Sequence, residues 1–301
     1  MINFRFHIVS LIAVFLALGL GVVMGATVID EAIVDGLNAR IDRVENEADA
    51  QQERNDALQD EVERLQLFIA DEYAIAGRLE GVPVGVIAPR GVEGDQARAT
   101  VDVLQAAGAS APGVLWLEEK WELSDEDSRQ ELADILLATS TDANELREAS
   151  WLALVENPDV IPQLVEAGFV EFDPVGEQGD DFDPATYPIA GARTLLIDQS
   201  DASADANELV DSLLGQFVLA GLPVVLGEVY QEEEEDGPVR GARLAIVRDD
   251  DELSAVVSTV DDLELAEGKV TTVFALADLP GTVGHYGQGA DADAATAAPS
   301  S

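Results

Sequence analysis

The 301-residue chain has no cysteine, two histidines, two methionines, and 16 basic residues against 60 acidic ones. Without cysteine there are no disulfides, thiolate metal sites or cysteine nucleophiles. The shortage of positive charge, a formal net charge of -44, excludes an electrostatic nucleic-acid interface, because a phosphate backbone needs Lys and Arg to displace its counterions. It disfavours an anionic lipid face for the same reason. Among the basic residues only Lys120 and Lys269 are lysine. This Arg-, Asp-, Glu- and Ala-rich usage fits a high-GC genome and a surface kept hydrated by carboxylates. Apolar residues still make up 47% of the chain, too many for disorder and enough for one large or two small domains.

What is present begins at the N-terminus. From Ile8 to Ile29 the sequence IVSLIAVFLALGLGVVMGATVI carries no formal charge. As a helix it rises about 33 Å, matching a hydrocarbon core of about 30 Å. A secretory signal core is shorter, about 7–15 residues, and small-x-small spacing is poor around Met24, Gly25 and Ala26, so 8–29 reads as an uncleaved, single-pass signal anchor in the cell membrane, in contact with the lipid bilayer. Arg5 precedes the span, whereas Asp30, Glu31 and Asp35 follow it. The positive-inside rule then puts residues 1–7 in the cytoplasm and the rest outside the membrane.

Two further patterns point to self-association. Ala13, Ala17, Gly21 and Gly25 recur every four residues, a stripe that lets two membrane helices approach closely. Over 30–76 a heptad repeat follows, with Val34, Ile41, Ala48, Asn55, Val62 and Ile69 at position a and Leu37, Val44, Gln51, Leu58 and Leu65 at position d. Mostly β-branched a positions, Leu at three d positions and one Asn at a favour a parallel two-stranded coiled coil, hence a parallel homodimer. A helix packed on its own domain would show a broader stripe near a 3.6 period. From Val34 to Ile69 the rod would span about 54 Å.

Residues 82–287 read as a mainly parallel-sheet α/β domain outside the membrane. Strands are expected at Val82–Ala88, Gly113–Leu117, Thr194–Ile197, Pro223–Val229 and Ala242–Val247. Helices are expected at Asp95–Ala107, Glu126–Leu137, Asn144–Val155, Pro158–Ala167, Asp205–Ala220 and Asp250–Val257. Alternation of this kind gives a parallel sheet covered on both faces. Two acidic loops, Asp180–Asp183 and Glu232–Asp236, punctuate it, and 288–301 has the composition of a disordered tail.

Catalytic signals are weak. Pro89-Arg90-Gly91-Val92-Glu93-Gly94 follows a strand and precedes a helix, yet it lacks the spacing of either nucleotide fingerprint and reads as a tight turn. His285 has no nucleophile motif beside it. Paired carboxylates are too numerous to be specific. The expectation is a non-enzyme without a resident cofactor. Soft and imidazole metal ligands are equally scarce, with no cysteine and two methionines, so His7 and His285 are the weak metal candidates.

The segment Asn3-Phe4-Arg5-Phe6-His7-Ile8-Val9-Ser10-Leu11-Ile12-Ala13-Val14-Phe15-Leu16-Ala17-Leu18-Gly19, continuing through Gly21-Val22-Val23-Met24-Gly25, resembles the N-terminal signature of the actinobacterial copper transport protein B family. The ending Gly284-His285-Tyr286-Gly287 is similar to that family's C-terminus, and the order of anchor, coiled coil and α/β domain agrees along nearly the whole chain. The resemblance implies a role in copper homeostasis or efflux at the cell envelope, and a septal partner in cell separation and peptidoglycan remodelling. The residues alone read as a dimeric envelope scaffold that recruits or regulates such partners; both readings are carried forward.

Overall fold

In the computed structural model, residues 5–25, 75–157, 159–179, 182–231, 238–289 and 291–297 are described. The chain divides into two units, Met1–Glu63 and Arg64–Ser301. In the first, the uncharged run forms helix α1 (Arg5–Gly25), 21 residues long with none of its apolar stretch buried. The heptad positions Val34, Leu37, Ile41, Val44, Asn55, Leu58, Val62, Leu65 and Ile69 lie outside the described residues. Of the 30–76 segment, Ile75 is buried in the core of the second unit.

Short runs of Val, Ile and Leu bounded by Gly and Pro build a seven-stranded sheet. Its strands are β1 (Val84–Pro89), β2 (Gly113–Leu117), β3 (Val170–Pro174), β4 (Arg193–Gln199), β5 (Val224–Val229), β6 (Val257–Val260) and β7 (His285–Tyr286). They lie in the order β3-β2-β1-β4-β5-β6-β7. Every neighbouring pair is parallel except β2 and β3. The helices are α2 (Gly94–Ala106), α3 (Glu126–Leu136), α4 (Ala143–Glu156), α5 (Val160–Glu166), α6 (Gly176–Gly179), α7 (Ala204–Leu219), α8 (Ala245–Arg248) and α9 (Ala266–Asp278). Side chains alternate across each strand. Val84, Val86, Ala88, Leu195, Ile197 and Val225 pack with α2 and α9 on one face. Ile87, Leu115, Leu117, Leu196, Val224 and Leu226 pack with α3, α4, α5 and α7 on the other. This is why Val, Ile and Leu occupy both faces of the central strands: water reaches neither face.

Local signals set the helix starts. Asp125 accepts the Ser128 backbone N–H at 2.7 Å, Asp142 accepts those of Asn144 and Glu145, and Ser203 caps α7 through Ala206. Each satisfies donors that a first helical turn leaves open.

Two expected elements are different in the structure. Ala242–Val247, read as a strand, is a 3-10 turn over Ala242–Leu244 running into α8. The buried Glu228 carboxylate takes the Gly241 and Arg243 N–H groups at 2.7 and 2.9 Å, donors that a strand would have used in a ladder. Asp250–Val257, read as a helix, is a series of turns in which Asp250 accepts the N–H groups of Glu252 and Leu253, and Val257 opens β6. β3, β6, β7 and α9 come in addition to the expected elements. Beyond β7, the Gly287 N–H donates to the Ala294 carbonyl at 3.0 Å, the Asp293 N–H donates to the His285 carbonyl at 2.8 Å, and Ala297 is buried. Residues 291–297, assigned to the tail by composition, therefore lie against the sheet edge.

Candidate functional site

Chain connection runs outward from β1 in both directions, to β2 on one side and β4 on the other, so the strand order reverses between β1 and β4. Loops diverge at such a point and leave a crevice beyond the carboxyl ends of the strands. There the structure has a cavity of about 100 Å³. Pro89 and Arg90 after β1, Leu117, Glu118 and Glu119 after β2, Trp121 and Glu122 on the next turn, Arg147 on α4 and the first turns of α7 form its walls. Trp121 is fully buried, with ring centroids 4.5 Å from Trp151 and 5.3 Å from Phe169, and its indole Nε1 has no hydrogen-bond partner. Arg90 stacks over Trp116, 5.1 Å from the ring centroid, and pairs with Glu118 at 2.7 Å and with Glu171.

Next to the crevice, the same sheet edge carries a buried ionic network. Asp198, at the end of β4, is wholly buried and receives Arg243 Nε at 2.7 Å; Arg243 also reaches Asp211 at 2.9 Å. Burial pushes the Asp198 and Glu228 carboxyls up, with Arg243 and backbone donors respectively opposing it. Asp261, after β6, pairs with Arg248 at 2.9 Å and accepts the Gln288 and Gly289 N–H groups at 2.7 and 3.1 Å. Any side chain on Gly287 would collide with that carboxylate, its Cβ falling 2.1 Å from Oδ1. The C-terminal glycine-rich motif is thus a clasp over Asp261.

Asp262 is 1% exposed, its Oδ1 has no partner, and burial followed by Asp261 and Glu264 pushes it up to about 7. On α9, Lys269 Nζ donates to the Leu263 carbonyl at 2.6 Å and to Gln96 at 2.8 Å, and burial lowers it to about 8. Nothing in local sequence marks these groups, because they converge only in the folded sheet.

The residues singled out in the sequence are placed as follows. Ala13, Ala17, Gly21 and Gly25 share one exposed face of α1, and around Gly21 and Gly25 the space is open. His7 is exposed on the same helix. His285 is a strand residue of β7: its Nδ1 lies 3.0 Å from the Thr259 hydroxyl, which accepts Arg248 Nε at 2.9 Å. Burial, reinforced by Arg248 and opposed by Asp293, holds its imidazole below the ordinary range. With a guanidinium one hydroxyl away, this is a poor seat for a cation. Among the described residues no three His, Asp or Glu side chains are arranged to hold a metal ion.

The family model described as "Copper transport outer membrane protein, MctB" matches residues 1–297. The chain belongs to the MctB family. Copper transporter MctB of Mycobacterium tuberculosis and Copper transporter MctB of Mycobacterium bovis are each 28% identical to it over 321 residues, covering 96% of this chain and 97% of theirs. The MctB match takes in α1, the whole sheet domain and the Asp261 clasp, so anchor and domain belong to one inherited unit. Family membership and α1 together mark a membrane-anchored protein. Nothing in these relatives' names favours a cell-separation scaffold over copper transport.

Proposed function

We propose that this protein serves copper homeostasis at the cell envelope, moving or helping to move copper across it. The observation that supports the reading is the match to the copper transporters over 96% of this chain and 97% of theirs. Copper is cargo here, and the donor set is thin: no cysteine, and only Met1, Met24, His7 and His285 as soft or imidazole ligands. A single chain therefore has no high-affinity copper site, and a larger assembly supplies the missing donors. The α/β domain is non-catalytic and needs no resident cofactor.

Arg5 before the span and the acidic residues after it favour a cytoplasmic N-terminus and an extracytoplasmic domain. Ala13, Ala17, Gly21 and Gly25, together with the Asn55-containing heptads, favour a parallel homodimer, and paired domains would present a surface to an envelope or septal partner. Deleting the gene should raise cell copper and copper sensitivity, and the full chain should restore both. Unchanged copper with failed cell separation would replace the transport reading by the scaffold. Calorimetry of the full chain with Cu(I) should show no tight stoichiometric site; tight binding abolished by His285→Ala would overturn the single-chain argument.

A further inference from the structure

At the β7 edge the direction of each hydrogen bond around His285 can be followed. Thr259, on β6, is wholly buried; its hydroxyl accepts Arg248 Nε at 2.9 Å and lies 3.0 Å from His285 Nδ1. A guanidinium only donates, so the hydroxyl still has its own proton to place. Among the described residues its acceptor is His285 Nδ1, and a buried O–H left without one costs about 1–3 kcal/mol. The imidazole is therefore held neutral, with its proton on Nε2. A charged ring would turn an Nδ1–H against the Thr259 O–H and add positive charge beside Arg248, whose side chain is 4% exposed. The charged groups around the ring are Arg248 from α8, Asp261 after β6, which pairs with Arg248 at 2.9 Å, and Asp293 from the C-terminal segment. Ser254, in the turns before β6, adds a backbone hydrogen bond. Asp293 favours the charged ring but is exposed, so solvent screens it; burial and Arg248 act the other way.

The same residue carries the strap formed by residues 291–297. The His285 carbonyl accepts the Asp293 and Ala294 N–H groups at 2.8 and 3.4 Å, and the Ala294 carbonyl accepts the Gly287 N–H at 3.0 Å. The strap's other hold is Ala297 in the core. We propose that His285 is an acid-sensitive latch: its neutral ring takes the Thr259 proton and keeps the strap closed on β7, and protonation of the ring releases the strap. Opening would also loosen the Gln288 and Gly289 N–H groups from Asp261, because they follow β7 directly. The sign follows from the ring's lowered value. Closure is full above the ordinary imidazole value of 6.5. It weakens as pH falls below that, by up to about tenfold per pH unit, until the closed form's own lower value is passed.

The test uses the full chain in detergent micelles, isotope-labelled at histidine, with His7→Gln to assign the ring signals by NMR. At about pH 7 His285 should be the Nε2–H tautomer. Hydrogen exchange at the Gly287, Asp293 and Ala294 amides, corrected for intrinsic rate, should lose protection about three- to tenfold between about pH 7 and pH 5, with the midpoint of the ring titration. His285→Gln stays neutral and keeps an acceptor for the Thr259 proton, so its strap should remain protected at both pH values. His285→Lys is charged and only donates, so its strap should be open at both. Should these variants fail to fold, coincidence of the two midpoints in the unaltered chain still decides the matter. An Nδ1–H tautomer at about pH 7, strap protection that does not move as the ring titrates, or acid opening that persists in His285→Gln overturns the proposal.

Discussion

Replacing Asp262 by asparagine should make the protein more stable at alkaline pH and change it little in acid. The carboxyl is 1% exposed, and burial lifts it from an ordinary value of 3.8 to about 7, with Asp261, Glu264 and Glu267 adding to the rise and Arg240 opposing it. A raised value means that the folded protein holds the proton more tightly than the unfolded chain. Its contribution to stability is therefore intact below about pH 4, is lost progressively as pH climbs towards 7, and stays lost above that. Roughly three units at 1.36 kcal/mol each set an upper bound of about 4 kcal/mol. Lys269 tempers the gain. Its amine, lowered to about 8 by burial, is helped to stay charged by Glu264 and Asp262, and the asparagine withdraws part of that help. The net expectation is a gain about 2–3 kcal/mol larger near pH 8 than near pH 4, or about 5–10 °C in Tm for a domain of this size. Thermal unfolding followed by tryptophan emission reports it, since Trp116, Trp121 and Trp151 all sit in the core of the sheet domain. An equal shift in Tm at both pH values, or a loss at pH 8, would refute the reasoning.

Tyr187→Phe removes a buried hydroxyl that accepts the Val86 N–H at 2.8 Å and donates to the Val86 carbonyl at 2.6 Å; a stability loss of about 1–3 kcal/mol in urea is expected, and an unchanged midpoint would count against it. Arg248→Met strands the wholly buried Asp261 and should cost about 3–5 kcal/mol, with part recovered on adding Asp261→Asn in a double-mutant cycle. Gly113→Ala would place a Cβ 2.1 Å from the Asp173 carbonyl and should part β2 from β3 at a cost of about 1–3 kcal/mol. Hydrogen exchange should then quicken in β3 ahead of the central strands.

The central sheet was legible because β1, β2, β4 and β5 each hold a short Val, Ile and Leu run bounded by Gly or Pro, and α1 because its apolar run is long enough to cross a membrane. β6 escaped notice because Ser258 and Thr259 interrupt Val257–Val260, yet both are fully buried, their hydroxyls engaged by the Gly284 N–H and by Arg248 and His285. Helix α9 was hidden for a similar reason: Lys269, Thr271 and Thr272 occupy its buried face, so the helical period of apolar residues is broken. Gly268 sits where a Cβ would fall 2.0 Å from the Asp262 carbonyl, a requirement visible only in three dimensions. The crevice was half legible. Pro89-Arg90-Gly91 was recognised as a turn between strand and helix, but Trp121, Arg147 and Ser203 reach it from segments far apart in the chain, and no spacing rule connects them.

The two borders of the sheet bear on how such a protein behaves when crowded on a membrane. Anchored copies share a thin layer, where local concentration far exceeds that of the same molecules in solution, and an open strand border is then an invitation to polymerise. One border, β3, runs antiparallel to its neighbour, places Glu171 and Asp173 along its length and stops at Pro174. The other, β7, is two residues long and bridged by Ala294. A border that ends in proline and one that is two residues long and capped offer no extended ladder to a neighbour, so anchored domains can crowd together without their sheets fusing.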